Sequence, residues 1–258
     1  MDFQGKSVLV VGASSGMGRA ISLRFAQEGA RVAVTARRGE RLLALVEEIE
    51  AAGGVALSLP ADGADEQGAA EVVSKVITHW GGIDLVLLNA GGAPALRMTA
   101  MTAAEVKSYM RSNYDTVVNY LFPVLDHMKQ RNEGMVAHTN SLASFFGVPL
   151  AGPYSAAKAA ARLLIDTCRI EFEPFGIKFS TLYPGFIATE ATKGDGMPSP
   201  GEISEEEAVS YMIEAIRRED WDHMFPPEAA GEILQALELP KPVLNEILKE
   251  KILYGQGT

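Results

Sequence analysis

Cysteine is almost missing from this chain: Cys168 is the only one in 258 residues. A single thiol excludes an intrachain disulfide and any cysteine-based metal centre, which fits a reducing compartment. Within its helical stretch Cys168 reads as a small core residue. The four histidines, His79, His127, His138 and His223, show no HExxH or comparable ligand spacing, so no metal site is expected. Long apolar runs are lacking as well. None approaches the roughly 18 residues of a membrane span, and the first apolar run, residues 8–11, is too short for the core of a signal peptide. The expected address is cytoplasmic. Positive charge is in deficit, with 23 Lys and Arg against 33 Asp and Glu and a net charge of −10. A protein that tracks nucleic-acid phosphates needs a clustered basic surface, so that class is set aside.

What is present is the composition of an ordinary globular protein, 47% apolar and 22% charged, which sets aside disordered and fibrous classes. The length permits one large domain, and no shift in composition marks a seam, so residues 1–258 are read as a single unit. Residues 6–11 form a short β-branched run ending at Gly12, and residues 16–28 follow with helical spacing of Met17, Ile21 and Phe25. The alternation continues with strands at 31–35, 55–59, 83–88, 135–139 and 178–183. The helices between them carry inner stripes such as Leu42, Leu45, Val46 and Ile49, and include 66–80, a long region over about 102–129, and one from Ala156 onward. Near-continuous apolar strands alternating with amphipathic helices predict an α/β fold, a single Rossmann-type doubly wound parallel sheet with helices on both faces.

Ligands of such sheets sit beyond the carboxyl ends of the strands. Gly12, Arg37, Asp62, Asn89, Ser141 and Pro184 each fall at or just after such an end. The first turn, Gly12, Ala13, Ser14, Ser15, Gly16, Met17 and Gly18, is a GxxxGxG that leaves a strand and opens a helix. Glycines let a backbone approach a pyrophosphate, and the helix start offers free N–H groups and a favourable dipole; the plainer alternative is a tight turn. After the second strand, NAD sites place an acid on the ribose 2′-hydroxyl. This chain has Arg37 and Arg38 instead, two guanidiniums suited to a 2′-phosphate, so NADP (NADPH) is expected over NAD. The alternative there is a solvated pair opening the next helix.

The stretch 139–161 places Ser141, Tyr154 and Lys158 within one segment, with Tyr154 and Lys158 one helical turn apart. A phenol near pKa 10 is a poor acid or base at neutral pH. A neighbouring ammonium, helped by a cationic nicotinamide, is expected to draw it down, and Ser141 to hold a substrate oxygen.

With these residues in place the chain resembles the short-chain dehydrogenase/reductase family, in its subgroup of chains of this length. The resemblance covers residues 5–190. It rests on Gly12, Gly16 and Gly18; on an adenine-binding Asp at Asp62, followed by Gly63 where Val is common; on Asn89, Ala90 and Gly91; on a helix-borne Asn113; on Ser141, Tyr154 and Lys158; and on Pro184, Gly185 and Thr189. It implies that Tyr154 is the general acid or base, that Lys158 also binds the nicotinamide ribose, that Ser141 orients the carbonyl and that Asn113 holds a relay water. Ile187 and Thr189 would receive the carboxamide. A homodimer or homotetramer built on the helices near 102–129 and 154–172 is implied too.

Leu88 replaces an Asn usual in the family, a change expected to touch strand packing only. The family's C-terminal strand and ending are not found, so residues 222–258 form an atypical segment with one or two packed helices. Residues 190–203 break the periodic pattern and are read as a mobile loop, the start of a substrate lid over 190–220 in which Ser204 to Glu207 match a capping box. The substrate pocket is expected from Ala93, Ala143, Pro149 and Phe186, with Phe145 or Phe146 nearby. These small or apolar residues point to a hydrophobic or aromatic carbonyl compound or alcohol. The function expected is NAD(P)-dependent interconversion of a ketone or aldehyde and an alcohol. The competing readings are a non-catalytic dinucleotide-binding regulatory protein, and a sugar-nucleotide epimerase or dehydratase, which would need a differently spaced glycine motif and a longer C-terminal domain.

Overall fold

The computed structural model describes residues 1–92, 95–190, 192, 193, 196 and 199–254. The chain begins with β1 (Ser7–Val11), α1 (Gly16–Gln27), β2 (Arg31–Thr35), α2 (Gly39–Ala51), β3 (Val55–Ser58), α3 (Glu66–Trp80) and β4 (Leu85–Leu88). It continues with α4 (Ala103–Met110), α5 (Thr116–Arg131), β5 (Gly134–Thr139), α6 (Gly152–Glu171), β6 (Ile177–Pro184), β7 (Ile187–Ala188), β8 (Ile203–Ser204), α7 (Glu205–Arg218), β9 (Asp222–Phe225), α8 (Pro227–Leu237) and α9 (Lys241–Leu248). Among the described residues seven strands form one parallel sheet in the order β3-β2-β1-β4-β5-β6-β9, and β7 pairs with β8 in a separate short ribbon.

The sheet is buried from both sides because alternate strand residues face opposite layers. Val8, Val10, Val32, Val34, Leu85 and Leu87 pack with Ile21 and Phe25 of α1, Leu42 and Leu45 of α2, and Met212 and Ile216 of α7. Leu9, Val11, Ala33, Val86 and Leu88 pack the other way, with Val73 of α3, Leu121 and Val124 of α5, and Ile165 and Cys168 of α6. This is the predicted doubly wound sheet. Leu88, 1% exposed, is a core residue of the second layer. The chain runs from β1 outward to β3, then returns to the other side of β1 at β4. The crevice of the switch point therefore opens between the ends of β1 and β4, at Gly12 and Asn89.

One expectation is corrected. The C-terminal strand is present: residues 222–225 (Asp-His-Met-Phe) form β9, which pairs with β6 through Thr181↔Asp222 to Pro184↔Phe225. An edge strand with one neighbour tolerates polar residues, so it lacks the apolar run that marks the central strands. The long helical region expected near 102–129 is present, with one feature the sequence did not show. A π-helical turn at Arg111–Asp115 separates α4 from α5, and such an insertion re-aims the side chains it carries, here Asn113. Residues 222–258 also hold the packed helices expected there, α8 and α9. At the start of α7 the Ser204 hydroxyl accepts from Glu207 N at 3.1 Å, one half of the predicted capping box.

Candidate active site

The first turn is a cradle for a ligand because backbone passes very close to backbone. Gly12 has φ +88°, and a Cβ there would stand 2.7 Å from the Ala90 Cα; a Cβ on Gly18 would stand 2.2 Å from the Gly12 carbonyl oxygen. Only glycine fits either place. The turn is pinned by Gly12 N donating to Thr35 O at 2.8 Å and by Asn89 Nδ2 donating to Gly12 O at 3.4 Å. The start of α1 is left open, since Ser15 stands at its N-cap without bonding to it, and the first-turn N–H groups face outward along the helix dipole. The buried Oδ1 of Asn89 has no partner. Across the crevice, Thr189 lies 3.6 Å from where a Gly16 Cβ would be. These residues fit a nicotinamide dinucleotide: an anion cradle, an uncapped helix start and an unsatisfied amide converge on the switch point.

Thr189 belongs to a tight hydroxyl cluster. Its N donates to Thr192 Oγ1 at 2.9 Å, Thr192 N donates to Thr189 Oγ1 at 3.2 Å, and the Thr192 hydroxyl donates to Ile187 O at 2.9 Å. Pro184 ends β6, and Gly185 N donates to Phe225 O at 2.8 Å, so β9 holds this loop in place. Met17 is partly buried in the first turn of α1.

Beyond β2, the Arg38 guanidinium donates to Ser14 Oγ at 2.8 and 3.1 Å and to Ser15 Oγ at 2.6 Å, which sets a cation directly on the glycine turn. Arg37 is exposed. Asp62 is exposed, and its Oδ1 accepts from Ala64 N at 3.1 Å, closing its own turn. Gly63 has a packing reason: a Cβ would meet the Thr116 Cγ2 at 2.5 Å.

The chemistry-bearing residues meet where β4 and β5 end against α6. Ser141 caps a 3₁₀ turn, and its hydroxyl accepts from Ala143 N at 3.1 Å. Burial raises the Tyr154 phenol above its ordinary value, and a hydrogen bond with Ser141 works against that rise. The Lys158 ammonium lies 5.7 Å from the Tyr154 ring centroid and donates to Thr139 O at 2.7 Å. Lys158 is 2% exposed, and burial lowers its pKa to about 8. Burial is the larger influence on both groups, and the nearest bond of the ammonium is to the strand carbonyl. Asn113 joins from the π turn: its Oδ1 accepts from Gly92 N at 2.9 Å and its Nδ2 donates to Tyr109 O at 3.2 Å. A Cβ on Gly91 would lie 2.6 Å from Asn113 Oδ1 and 3.4 Å from Lys158 Nζ, so Gly91, Asn113 and Lys158 share one corner.

Two neighbours escape the sequence reading. Asn140 donates from Nδ2 to the Lys158 carbonyl at 3.1 Å, and its Oδ1 accepts from Ser141 N at 2.9 Å, tying the strand end to the helix. His138, fully buried, places Nδ1 3.5 Å from the Asn140 amide. Burial, with Lys158 nearby, holds its imidazole well below the usual pKa. The signal was a polar trio, Thr139, Asn140 and Ser141, closing an apolar strand.

The residues expected around the substrate are scattered in character. Ala143, Phe146, Pro149 and Phe186 are partly exposed. Phe145 is packed against Tyr183, 5.1 Å between centroids, with the Arg162 guanidinium 4.9 Å over its ring, a structural placement. Ala93 lies outside the described residues, as do Ala191, Gly194, Asp195, Met197 and Pro198 of the expected lid. Met98 was not anticipated: its Sδ would meet a Gly152 Cβ at 2.8 Å, and Leu96 N donates to Leu150 O at 2.7 Å, laying residues 96–98 beside the start of α6. Among the described residues no helix is long and apolar enough to cross a membrane.

The family model of short chain dehydrogenases matches residues 6–197. An uncharacterized oxidoreductase of Myxococcus xanthus is 31% identical over 93% of this chain and 95% of its own length. Among solved structures, an alcohol dehydrogenase of Thermococcus sibiricus complexed with 5-hydroxy-NADP is 26% identical, covering 86% of this chain and 96% of the other at a TM-score of 0.77. A short chain dehydrogenase/reductase of Burkholderia phymatum in complex with NAD shares the fold, at 20% identity and a TM-score of 0.83 over 90% of this chain and 93% of that one.

Proposed function

The chain belongs to the short-chain dehydrogenase family, a family of oxidoreductases that use a nicotinamide dinucleotide, and from that premise we propose that it is an NADPH-preferring enzyme interconverting a ketone or aldehyde with an alcohol of hydrophobic or aromatic character. The observation that carries this reading is the meeting of Ser141, Tyr154, Lys158 and Asn113 at one corner of a crevice whose other side is an anion cradle. The bound dinucleotide would supply or accept the hydride. Every other step falls to the protein.

Gly12, Ser14, Ser15, Gly16, Met17 and Gly18 would hold the pyrophosphate, Arg37 and Arg38 the 2′-phosphate, and Asp62 with Gly63 the adenine side. Asn89, Ala90, Gly91, Pro184, Gly185, Ile187 and Thr189 would line the nicotinamide half. Ser141 holds the substrate oxygen and the phenol of Tyr154 together, so one proton has a defined path. A phenol whose pKa burial raises is protonated at neutral pH. Tyr154 is thus set to donate in the direction of carbonyl reduction and requires deprotonation for oxidation. Lys158, fixed on Thr139 O, stabilises the phenolate formed after donation, and Asn113 would hold the water through which solvent returns the proton.

The NADP preference is supported by Arg38 on Ser14 and Ser15 and by the absence of an acid at the end of β2. Substrate contact is assigned to Ala93, Ala143, Phe146, Pro149 and Phe186, with Met98 added. Phe122 on α5 and Leu163 and Ile170 on α6 are exposed at 43%, 59% and 76%, which supports a homodimer or homotetramer in which these faces are covered. The setting is cytoplasmic in this reading, and the chain acts as one unit over residues 1–258; the expected lid over 190–220 shrinks to residues 190–203, because Met212 and Ile216 fix α7 in the core.

The test is Tyr154→Phe. NADP+ binding by calorimetry stays within about twofold, while turnover of a panel of aromatic and aliphatic ketones, followed by nicotinamide absorbance, falls by roughly 10³ or more. Undiminished turnover overturns the assignment.

A further inference from the structure

The glycine turn borders a cleft of about 370 Å³ whose walls include Ser14, Ser15, Arg19, Arg41, Glu190 and Glu205. Arg41, in the first turn of α2, grips Glu190 with two parallel bonds, Nη1 to Oε2 at 2.5 Å and Nη2 to Oε1 at 2.9 Å. Nothing in the local fold requires this pair: both side chains are largely exposed, 45% and 59%, and water and salt screen such pairs effectively. The carboxylate of Glu190 is held down by Arg41 first and also feels Arg38. It therefore occupies a position that two guanidiniums make favourable for an anion. Arg38 meanwhile rests on the neutral hydroxyls of Ser14 and Ser15, with no acid opposite it at the end of β2. Arg19, paired with Glu48, also lines the cleft, and burial pushes Glu205 up; Arg41 and Arg38 are the guanidiniums that act on Glu190.

Resting on the NADP reading, we propose that Arg41 is a further specificity-determining residue for the cofactor's 2′-phosphate, and that Glu190 is a resident carboxylate which the phosphate displaces. A carboxylate offers one negative charge. A phosphate monoester carries about −1.5 to −2 at neutral pH with three acceptor oxygens, and so outcompetes it for a planar fork of donors. The exchange is asymmetric between cofactors: NAD has only a hydroxyl at that place and leaves Arg41 on Glu190. Because Glu190 directly follows Thr189, release of Glu190 also frees the 187–190 segment from α2.

Calorimetric titration of the full chain with NADP+, NAD+ and adenosine 2′,5′-bisphosphate tests this, using wild type, Arg41→Ala, Glu190→Gln and the double variant. The expected result is a loss of about tenfold or more for NADP+ and the bisphosphate in Arg41→Ala, with NAD+ unchanged. NAD+ binding doubles as the control that the variant is folded. Glu190→Gln tightens NADP+ several-fold and leaves NAD+ alone, and it has no effect once Arg41 is Ala. A wild type that prefers NADP+ while Arg41→Ala leaves that preference intact overturns the role of Arg41 and spares the NADP reading. Glu190→Gln without effect on NADP+ overturns the competition. A wild type that binds NADP+ and NAD+ equally overturns the NADP reading itself, and this inference with it.

Discussion

The two ends of the crevice are built on opposite electrostatic terms. At the β5–α6 corner the charge is buried: Lys158 is 2% exposed, Asn113 and Asn140 1% each, and Lys158, Asn113 and Asn140 are tied to backbone groups. At the β2–α2 rim the charge is exposed, and guanidiniums rest on hydroxyls or on a largely exposed carboxylate. Under the proposed function the difference follows from what each end would do. Proton transfer gains from a dry, fixed field in which interactions are strong. Choice of cofactor needs cations that can leave one partner for another, which only a well-solvated rim allows.

Mutations should separate the ends by size and kind of effect. Largest is Lys158→Met, expected to reduce turnover by about 10³ or more, the range of lost acid–base assistance. The same change should stabilise the fold. Burial depresses the Lys158 pKa from 10.5 to about 8, so the folded state resists carrying the ammonium. The resulting cost, on the order of 3 kcal/mol, is fully present below pH 8 and is relieved as pH rises from about 8 toward 10.5. After about 1 kcal/mol is returned for the lost bond to Thr139 O, melting should show Lys158→Met more stable than wild type at pH 7, with the gap narrowing by pH 10. A variant less stable at pH 7 would mean the corner is not strained by its charge.

Next is Asn140→Ala, which unties Ser141 N and the Lys158 carbonyl. A displacement near 1 Å at this corner costs about 10² in rate. We expect kcat to fall by that order with KM little changed and the pH profile of reduction shifted; equal losses in kcat and in thermal stability, with an unshifted profile, would reduce Asn140 to a packing residue.

Smallest is the rim. Arg38→Ala should weaken NADP+ by about tenfold, a charge-assisted bond of roughly 1.5 kcal/mol, and Arg37→Ala by less, since only Arg38 touches the glycine turn. Neither should alter kcat at saturating cofactor. If Arg37→Ala proves the more damaging, the rim is read at the wrong residue.

Much of this was legible in the chain itself. The central strands are apolar on both faces and punctuated by glycine, so the predicted 31–35 and 66–80 coincide with β2 and α3. The polar edge strand β9 was not legible, because pairing on one side leaves its composition unconstrained. The π turn at Arg111–Asp115 left no mark either, since it needs no special residue. At the site, Ser141, Tyr154 and Lys158 announce themselves by type and spacing, whereas Asn140 and His138 acquire meaning only from what they touch.

By itself the sequence determined the alternation of strand and helix, the glycine turn, the missing acid after β2 and the set of groups able to move a proton. These depend on local backbone preference and residue chemistry. Only the tertiary structure decided that Lys158 is fixed on Thr139 rather than on the phenol, that Asn113 reaches Gly91 from a π turn, and that Arg41 meets Glu190. Such contacts join segments far apart in the chain, and burial, which shifts the pKa values of Tyr154, Lys158 and His138, exists only once the layers have closed over them.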